Sequence, residues 1–333
     1  PRIDAALAFA EKLLATNPTY AKANPLVAER VKKIKEQNRN YVAHEYFNRD
    51  WKPMSFASMG DWLAPAKLSF ACSANYLDYV EALNLTAEQQ ALLAEIPDEM
   101  FHQTVRDFMV NQQFRKDYWV RGPRKLNPLD QAEGLRAQKV VLTTHRPEVS
   151  LKVTGALGEA SMSEAIYNPI LDALADHKPK TLGQLEQAVK DKGVNFAQLT
   201  QAILILTGAG SVVAVQDEAT TPKAKKHTDK LNAHLMGKAR GSNEVSYLAS
   251  PVTGGGIPVG RFDQLFAYAL AQGGKQPVQW AQVVWTILQA QGQKLLKEGK
   301  TLETAEENMA ELTRQAEEFA QKRLPILKAL QIA

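Results

Sequence analysis

The 333-residue chain is poor in several things that would announce a chemistry. It has one cysteine, Cys72, so it can form neither an internal disulfide nor a Cys-rich zinc site. Cys72 lies in the small-residue run Phe70-Ala71-Cys72-Ser73-Ala74 and is expected to be a buried, inert thiol, which fits a reducing compartment. No apolar run approaches the ~20 residues of a membrane span. No basic-then-apolar leader opens the chain; it starts at Pro1 and runs into an amphipathic helix, so the start is expected to be cut from something longer, although tag cleavage or Met removal would look the same. Charge of one sign is also lacking. Lys+Arg 40 against Asp+Glu 36 leaves +4, too mild an excess to call for nucleic acid or an anionic membrane.

The six histidines, His44, His102, His145, His177, His227 and His234, have no partners at metal-ligand spacing. There is no Gly-x-Ser-x-Gly elbow and no arguable Cys/His dyad. Gly208-Ala209-Gly210 follows residues spaced as a helix (Phe196, Leu199, Ile203, Leu206), so it is expected to end that helix rather than cradle a nucleotide. Thr253-Gly254-Gly255-Gly256-Ile257-Pro258 lacks a following Lys-Ser/Thr and is expected to be a connector.

What is present is ordinary globular material, 45% hydrophobic and 23% charged, which excludes disorder over most of the length. Helical spacing runs through Arg2–Ala15, stops at Asn17-Pro18 and restarts at Pro25 with a stripe of Leu26, Val27, Val31 and Ile34. Further helices are predicted from about Ala66, from the capping box Thr86/Gln89, and from Asp98 to near Phe114; no strand is expected before about Lys139. Strands are then predicted at 139–144, 149–153 and 211–216, and helices at Ser163–Ala175, Thr181–Lys192 and Asn195–Thr207. Three short helices running into a strand is the order of a winged helix. Glu218–Lys226 suggests a linker, and the last third suggests helices at Arg261–Ala271, Pro277–Leu288 and Thr301–Arg323.

Two clusters could carry function. His44-Glu45, beside Tyr41, Tyr46 and Phe47, is either a polar network tying helices together or the wall of a substrate pocket offered to another domain. Arg106-Asp107-Phe108 and Phe114-Arg115-Lys116 fall on one predicted helix, where Asp107 and Arg115 could anchor it through charge-assisted hydrogen bonds. The basic group Arg115, Lys116, Arg121, Arg124, Lys125, with Tyr118 and Trp119, is best taken as a solvated face. The third helix of the winged-helix pattern has no Lys or Arg, which argues against DNA reading.

The ordered set Tyr41-Val42-Ala43-His44-Glu45-Tyr46-Phe47-Asn48, Pro53, Phe56, Leu63-Ala64-Pro65-Ala66-Lys67-Leu68, Phe70, Ser73-Ala74, Arg106-Asp107-Phe108 and Phe114-Arg115 resembles the methyltransferase regulatory domain. That domain accompanies bacterial S-adenosylmethionine-dependent methyltransferases, among them rickettsial-type protein lysine methyltransferases. The match spans about Tyr41 to Arg121, and Ser250-Pro251-Val252 through Ile257-Pro258 is similar in order to the region C-terminal to that domain in these proteins. Such enzymes place a Rossmann-like donor domain, opened by an acidic-x-Gly-x-Gly loop, before the regulatory domain. This sequence shows none, so no catalytic, cofactor-binding or metal residue carries over.

The expectation is therefore a mostly α chain with a small α+β winged-helix-like module and no Rossmann sheet. Its domains would be 1–135 (helical, regulatory-domain-like), 136–222 (winged-helix-like) and 223–333 (helical). The resemblance implies the regulatory, substrate-engaging region of a protein methyltransferase using S-adenosylmethionine, with no cofactor held by this chain alone. His44, Glu45, Tyr46, Asn48, Arg106, Asp107 and Arg115 are the substrate-binding or interdomain candidates. The expected partners are an upstream methyltransferase domain and a protein substrate. A homodimer is compatible with this reading, membrane and nucleic acid are not expected, and the expected location is the cytoplasm. The rival is a stand-alone winged-helix DNA-binding or scaffold protein.

Overall fold

The computed structural model describes residues 2–333. It is mostly helical, with short antiparallel strand pairs and one three-stranded sheet; no large parallel sheet occurs among the described residues. The chain divides into two compact units, Pro1–Trp62 and Leu63–Ala333.

In the first unit Pro18 and Pro25 separate the helices Arg2–Ala15, Thr19–Ala23 and Leu26–Glu36, as their fixed φ and missing N–H require. Asn38 caps the next helix, Arg39–Tyr46, its side chain accepting from the backbone N–H of Asn40 and Tyr41. Lys35–Glu11 at 2.7 Å and Arg39–Asp4 at 2.6 Å tie these helices to the first at an exposed surface, where each pair adds little. Leu26, expected on the apolar stripe, is 75% exposed.

The second unit corrects the sequence reading at its start. Leu68–Ser73 and Asp117–Arg121 are strands, paired antiparallel, in place of the expected helix from about Ala66 and against the expectation of no strand before Lys139. The 3-10 turn Ala64–Ala66 ends at Lys67, whose φ of 58° turns the chain into the first strand. The helix after Asp98 is shorter than expected, Glu99–Met109, because Asn111 (φ 51°) takes the left-handed conformation. Asp98 caps it through Phe101 N–H at 2.7 Å, and the Thr86/Gln89 capping box is present as read.

Strands Lys139–Leu142, Lys180–Thr181 and Val212–Ala214 form the three-stranded sheet, with Lys139–Leu142 in the middle. Helices Glu164–Ala173, Leu182–Val189 and Phe196–Gly208 lie where the spacing predicts them, the latter two opened by capping boxes at Thr181/Gln184 and Asn195/Gln198. A hairpin, Lys152–Gly155 with Gly158–Ser161, docks on Glu81–Asn84: a Cβ on Gly155 would overlap the Leu83 carbonyl, which accepts from Leu157 N–H at 3.1 Å. The sheet's central strand precedes the three helices. After Val212–Ala214 the chain enters another helix, Thr221–Lys238, which starts inside the expected linker; Pro222 in its first turn is helix-starting rather than linker chemistry.

Side-chain alternation makes Lys139–Leu142 the shared wall of two cores. Val140 and Leu142 join Leu171, Leu185, Leu199 and Leu206, together with Val80 and Leu83. Val141 joins the C-terminal core of Leu265, Phe266, Val284, Leu312 and Phe319. Packing is thus continuous across positions 135 and 222. The glycine run forms the tight link between strands Tyr247–Ala249 and Gly256–Pro258, with Gly254 (φ 71°) pressed against Gln216.

In the C-terminal core the helix Ala305–Glu318 carries Glu311, which is 6% exposed. Hydrogen bonds from Arg314 (2.6 Å), opposed by burial and helped by Gln315 and Lys297, hold its carboxyl down at about 2, against the ordinary 4.5. A depressed folded-state value contributes stability that is complete above pH 4.5 and lost as pH falls towards about 2. Glu311→Gln should flatten that part of an acid-unfolding curve; an unchanged slope between those limits would show that Glu311 is not part of the acid response.

Candidate functional site

The predicted site residues fall into the two units. On the Arg39–Tyr46 helix, Val42 is fully buried while the next turn faces outward. His44 is exposed, and its Nδ1 lies 3.0 Å from Oε1 of half-buried Glu45. Tyr46 is half-buried, and Asn48 accepts from Asp50 N–H at 3.0 Å to shape the turn beyond the helix. After that turn, Asp50, Lys52, Met54, Ser58, Asp61 and Trp62 surround an open cleft of about 660 Å³.

In the second unit Arg115 is the hub. Its Nη1 donates to Asp107 Oδ1 at 2.5 Å, its Nε to Asp117 Oδ2 at 2.8 Å, and its Nη2 to Gln103 Oε1 at 3.0 Å and Asp117 Oδ1 at 3.1 Å. The fork straps the Glu99–Met109 helix to the Asp117–Arg121 strand. The guanidinium also lies 5.6 Å from the ring centroid of Phe70, which packs edge-on to its cross-strand partner Trp119 at 5.8 Å. Burial raises the Asp107 carboxyl above its ordinary value, against the pull of Arg115. Burial opposes the Arg115 charge, but the bonds to Asp117 and Asp107 outweigh it and the guanidinium is held firmly protonated. Of the expected basic face, Arg115 is thus consumed internally, and Arg121 donates to Ala66 O at 3.1 Å.

Arg106 is 7% exposed, with Nη2 3.2 Å from Asp78 O and 3.7 Å from Asp78 Oδ1. Asp78 in turn accepts from Ser73 Oγ at 2.6 Å and Asn75 Nδ2 at 2.9 Å. Tyr79 donates to Ser73 O at 3.1 Å, and its phenol is pushed up to about 12, by burial first and by adjacent Cys72 second. Cys72 is half-buried beside these groups, not a core thiol. Sequence reasoning missed Asp78, Gln103 and Asp117. Asp117 had a local signal, an acid two residues from Arg115 in a β-prone run; Asp78 meets Arg106 only through the fold. Among the described residues no group of three or more His, Cys, Asp or Glu is placed to hold a metal ion.

Residues 38–121 match the family model described as "Predicted methyltransferase regulatory domain". The matched segment opens on the cap Asn38 and closes at Arg121, the last residue of the strand that Arg115 anchors, so all seven candidate residues fall within the matched segment. The chain is 40% identical over 332 residues to the uncharacterized protein sll1526 of Synechocystis sp., covering 100% of this chain and 65% of that protein. It therefore spans somewhat less than two thirds of the relative's length. The fold is similar to PKMT2 from Rickettsia typhi in complex with AdoHcy, with a TM-score of 0.62 and 14% identity over 100% of this chain and 68% of that one. It is also similar to PKMT2 solved without that ligand, with a TM-score of 0.56 and 14% identity over 96% of this chain and 67% of that one. The fold likeness thus extends well beyond the matched segment.

Proposed function

We propose that this chain is the regulatory and substrate-engaging region of an S-adenosylmethionine-dependent methyltransferase that acts on protein, with lysine as the acceptor. The observation that carries this reading is the regulatory-domain match at 38–121, set in a chain whose whole fold is similar to a structure solved with AdoHcy. The chain's own residues do not fit the methyl donor. Among the described residues no parallel strand runs into a glycine-rich turn and helix; the glycine pairs instead end the Phe196–Gly208 helix and link two antiparallel strands. Donor binding is therefore assigned to a methyltransferase domain of the same protein, with this region walling the cleft beside it.

Uncovered apolar surface supports such a partner. In the first unit Phe9 is 67% exposed, Tyr20 65% and Trp62 69%, alongside the outward-facing His44-Glu45 pair. Large exposed rings in so small a unit are apolar surface that a partner could cover. We assign His44, Glu45, Tyr46 and Asn48 to the wall that meets donor domain or acceptor, and Arg106, Asp107 and Arg115 to bracing the regulatory domain. Residues 136–222 remain winged-helix-like in this proposal but are not assigned DNA reading: the Phe196–Gly208 helix has no cation and buries Leu199, Ala202, Ile203, Ile205 and Leu206. No helix among the described residues is long and apolar enough to cross a membrane, and a cytoplasmic location belongs to the proposal.

Calorimetric titration of the chain with S-adenosylmethionine should give no saturable heat at micromolar concentrations. A micromolar dissociation constant would place the donor site here and overturn the division of labour.

A further inference from the structure

We propose that the cleft between the Leu68–Ser73 strand and the Glu99–Met109 helix binds a small zwitterion of amino-acid size, an ammonium and a carboxylate on a short apolar frame. The cleft encloses about 220 Å³. Its charges are mismatched among themselves in a way such a ligand would correct.

On the floor lies Arg106, more than nine-tenths buried. A guanidinium has five N–H donors. Among the described residues the hydrogen bonds of Arg106 run through Nη2 alone, to one carbonyl, with the Asp78 carboxylate loosely placed at 3.7 Å. Beside it, Nδ1 of His102 is shut off from solvent and has no hydrogen-bond partner. The remaining Arg106 donors are left to the solvent of the cleft, where they are open to a ligand, and the orphan imidazole nitrogen is costly unless something completes it. A carboxylate in the cleft can accept from Arg106 directly; it reaches His102 Nδ1, which water does not touch, only if the imidazole ring rotates towards the cleft.

At the rim the imbalance is reversed. Glu81 and Glu99 line the same cleft and are exposed. Glu99 spends Oε1 on Gln103 Nε2 at 3.1 Å, while among the described residues no side-chain hydrogen bond engages Glu81. These carboxylates suit an ammonium. Glu99, His102, Gln103 and Arg106 have i, i+3, i+4, i+7 spacing and so share one helix face, acid at one end and base at the other. Seven residues of rise place their backbones about 10 Å apart, and side chains lean towards the helix N-terminus, which brings the Arg106 head back towards His102. Between the charged ends Phe70, Leu85 and Leu93 provide an apolar wall. The site lies wholly in the second unit and rests on no part of the methyltransferase reading.

The test is calorimetric titration of the intact chain with L-leucine and 6-aminohexanoate, zwitterions of short and long charge separation, and with their halves, valerate and pentylamine. One of the zwitterions should bind at least about tenfold more tightly than either half, its identity fixing the charge spacing. The double variant Glu81→Gln/Glu99→Gln, altered only at the exposed rim, should weaken the zwitterion by about tenfold and leave valerate unchanged. Ligand should also slow alkylation of Cys72, which lines the cleft. His102→Gln gives a floor variant should Arg106→Gln not fold, and it should weaken zwitterion and valerate alike. No saturable heat from either zwitterion up to about 10 mM, equal affinity for a zwitterion and its halves, or zwitterion binding indifferent to the rim variant would each overturn the proposal.

Discussion

Arg115→Leu should lower the unfolding free energy of the protein by about 3 kcal/mol at neutral pH, near the low end of what breaking a buried ion pair costs. The reason is less the bonds lost than the charges left behind. Asp117 and Asp107 side chains are 8% and 17% exposed, and Arg115 is the group that compensates both. Without it, two carboxylates some residues apart in sequence but adjacent in space stay desolvated and repel each other. Arg115→Lys keeps a charge but not the planar fork, cannot reach both acids and Gln103 together, and should fall between the two. The pH dependence has a fixed sign. The Asp107 carboxyl already sits above its ordinary 3.8 in the folded protein, so its contribution is complete below that value and lost as pH rises through the folded one. Removing Arg115 steepens that loss, so the deficit of the variant should shrink as pH is lowered to about 4. Urea unfolding at the two pH values measures it; a deficit within about 0.5 kcal/mol of zero at neutral pH would mean the fork is a surface pair of no consequence.

Phe319→Ala should cost about 3–5 kcal/mol, the range for removing a fully buried aromatic side chain. Phe319 is 1% exposed, with ring centroids 5.7 Å from Phe266 and 5.9 Å from Trp280. The hole cannot close cheaply. Trp280 is pinned by its indole N–H to Gly274 O at 2.8 Å, and a Cβ on Gly274 would crowd that ring. Phe319 also starts the π-helical turn Phe319–Arg323 that leads to Leu324–Ala329. Pro325 has no N–H for an i−4 bond, so the ladder slips by one residue before it. Phe319→Leu, which keeps most of the volume, should cost about 1 kcal/mol. Thermal unfolding of the pair separates packing from backbone effects: equal losses would contradict the cavity argument.

The features legible in the sequence are the local ones. Helices opened by a cap and a partner three residues on, at Thr86, Thr181 and Asn195, are readable because cap and helix are neighbours in the chain. Gly208-Ala209-Gly210 is correctly placed at a helix end for the same reason. The strand pair Leu68–Ser73 with Asp117–Arg121 escapes sequence reading because its hydrogen-bond partners are separated by dozens of residues and the first strand alternates Leu68 and Phe70 with small residues of weak β preference. The linker reading at Glu218–Lys226 fails because Thr, Pro and Lys also make the first turn and wet face of a helix. In the site, the opposite charges of Asp107 and Arg115 are readable, but their expected place on one helix is corrected: the helix ends at Met109 and Arg115 folds back onto Asp107, while Asp117 and the Arg106–Asp78 contact need strand pairing and tertiary packing. Cys72 is misjudged from sequence because small neighbours suggest a core, whereas here they line a cleft.

The proposed function turns on the outward-facing His44-Glu45 pair as part of the wall that meets donor domain or acceptor. It is tested most directly by Glu45→Gln in a protein that carries this region together with its donor-binding domain. The change keeps the shape of a half-buried side chain and removes its charge. Transfer of labelled methyl from S-adenosylmethionine to a protein acceptor should fall, with donor affinity and melting temperature unchanged. Methyl transfer at the parent rate, with the protein folded and the donor bound, would contradict the account.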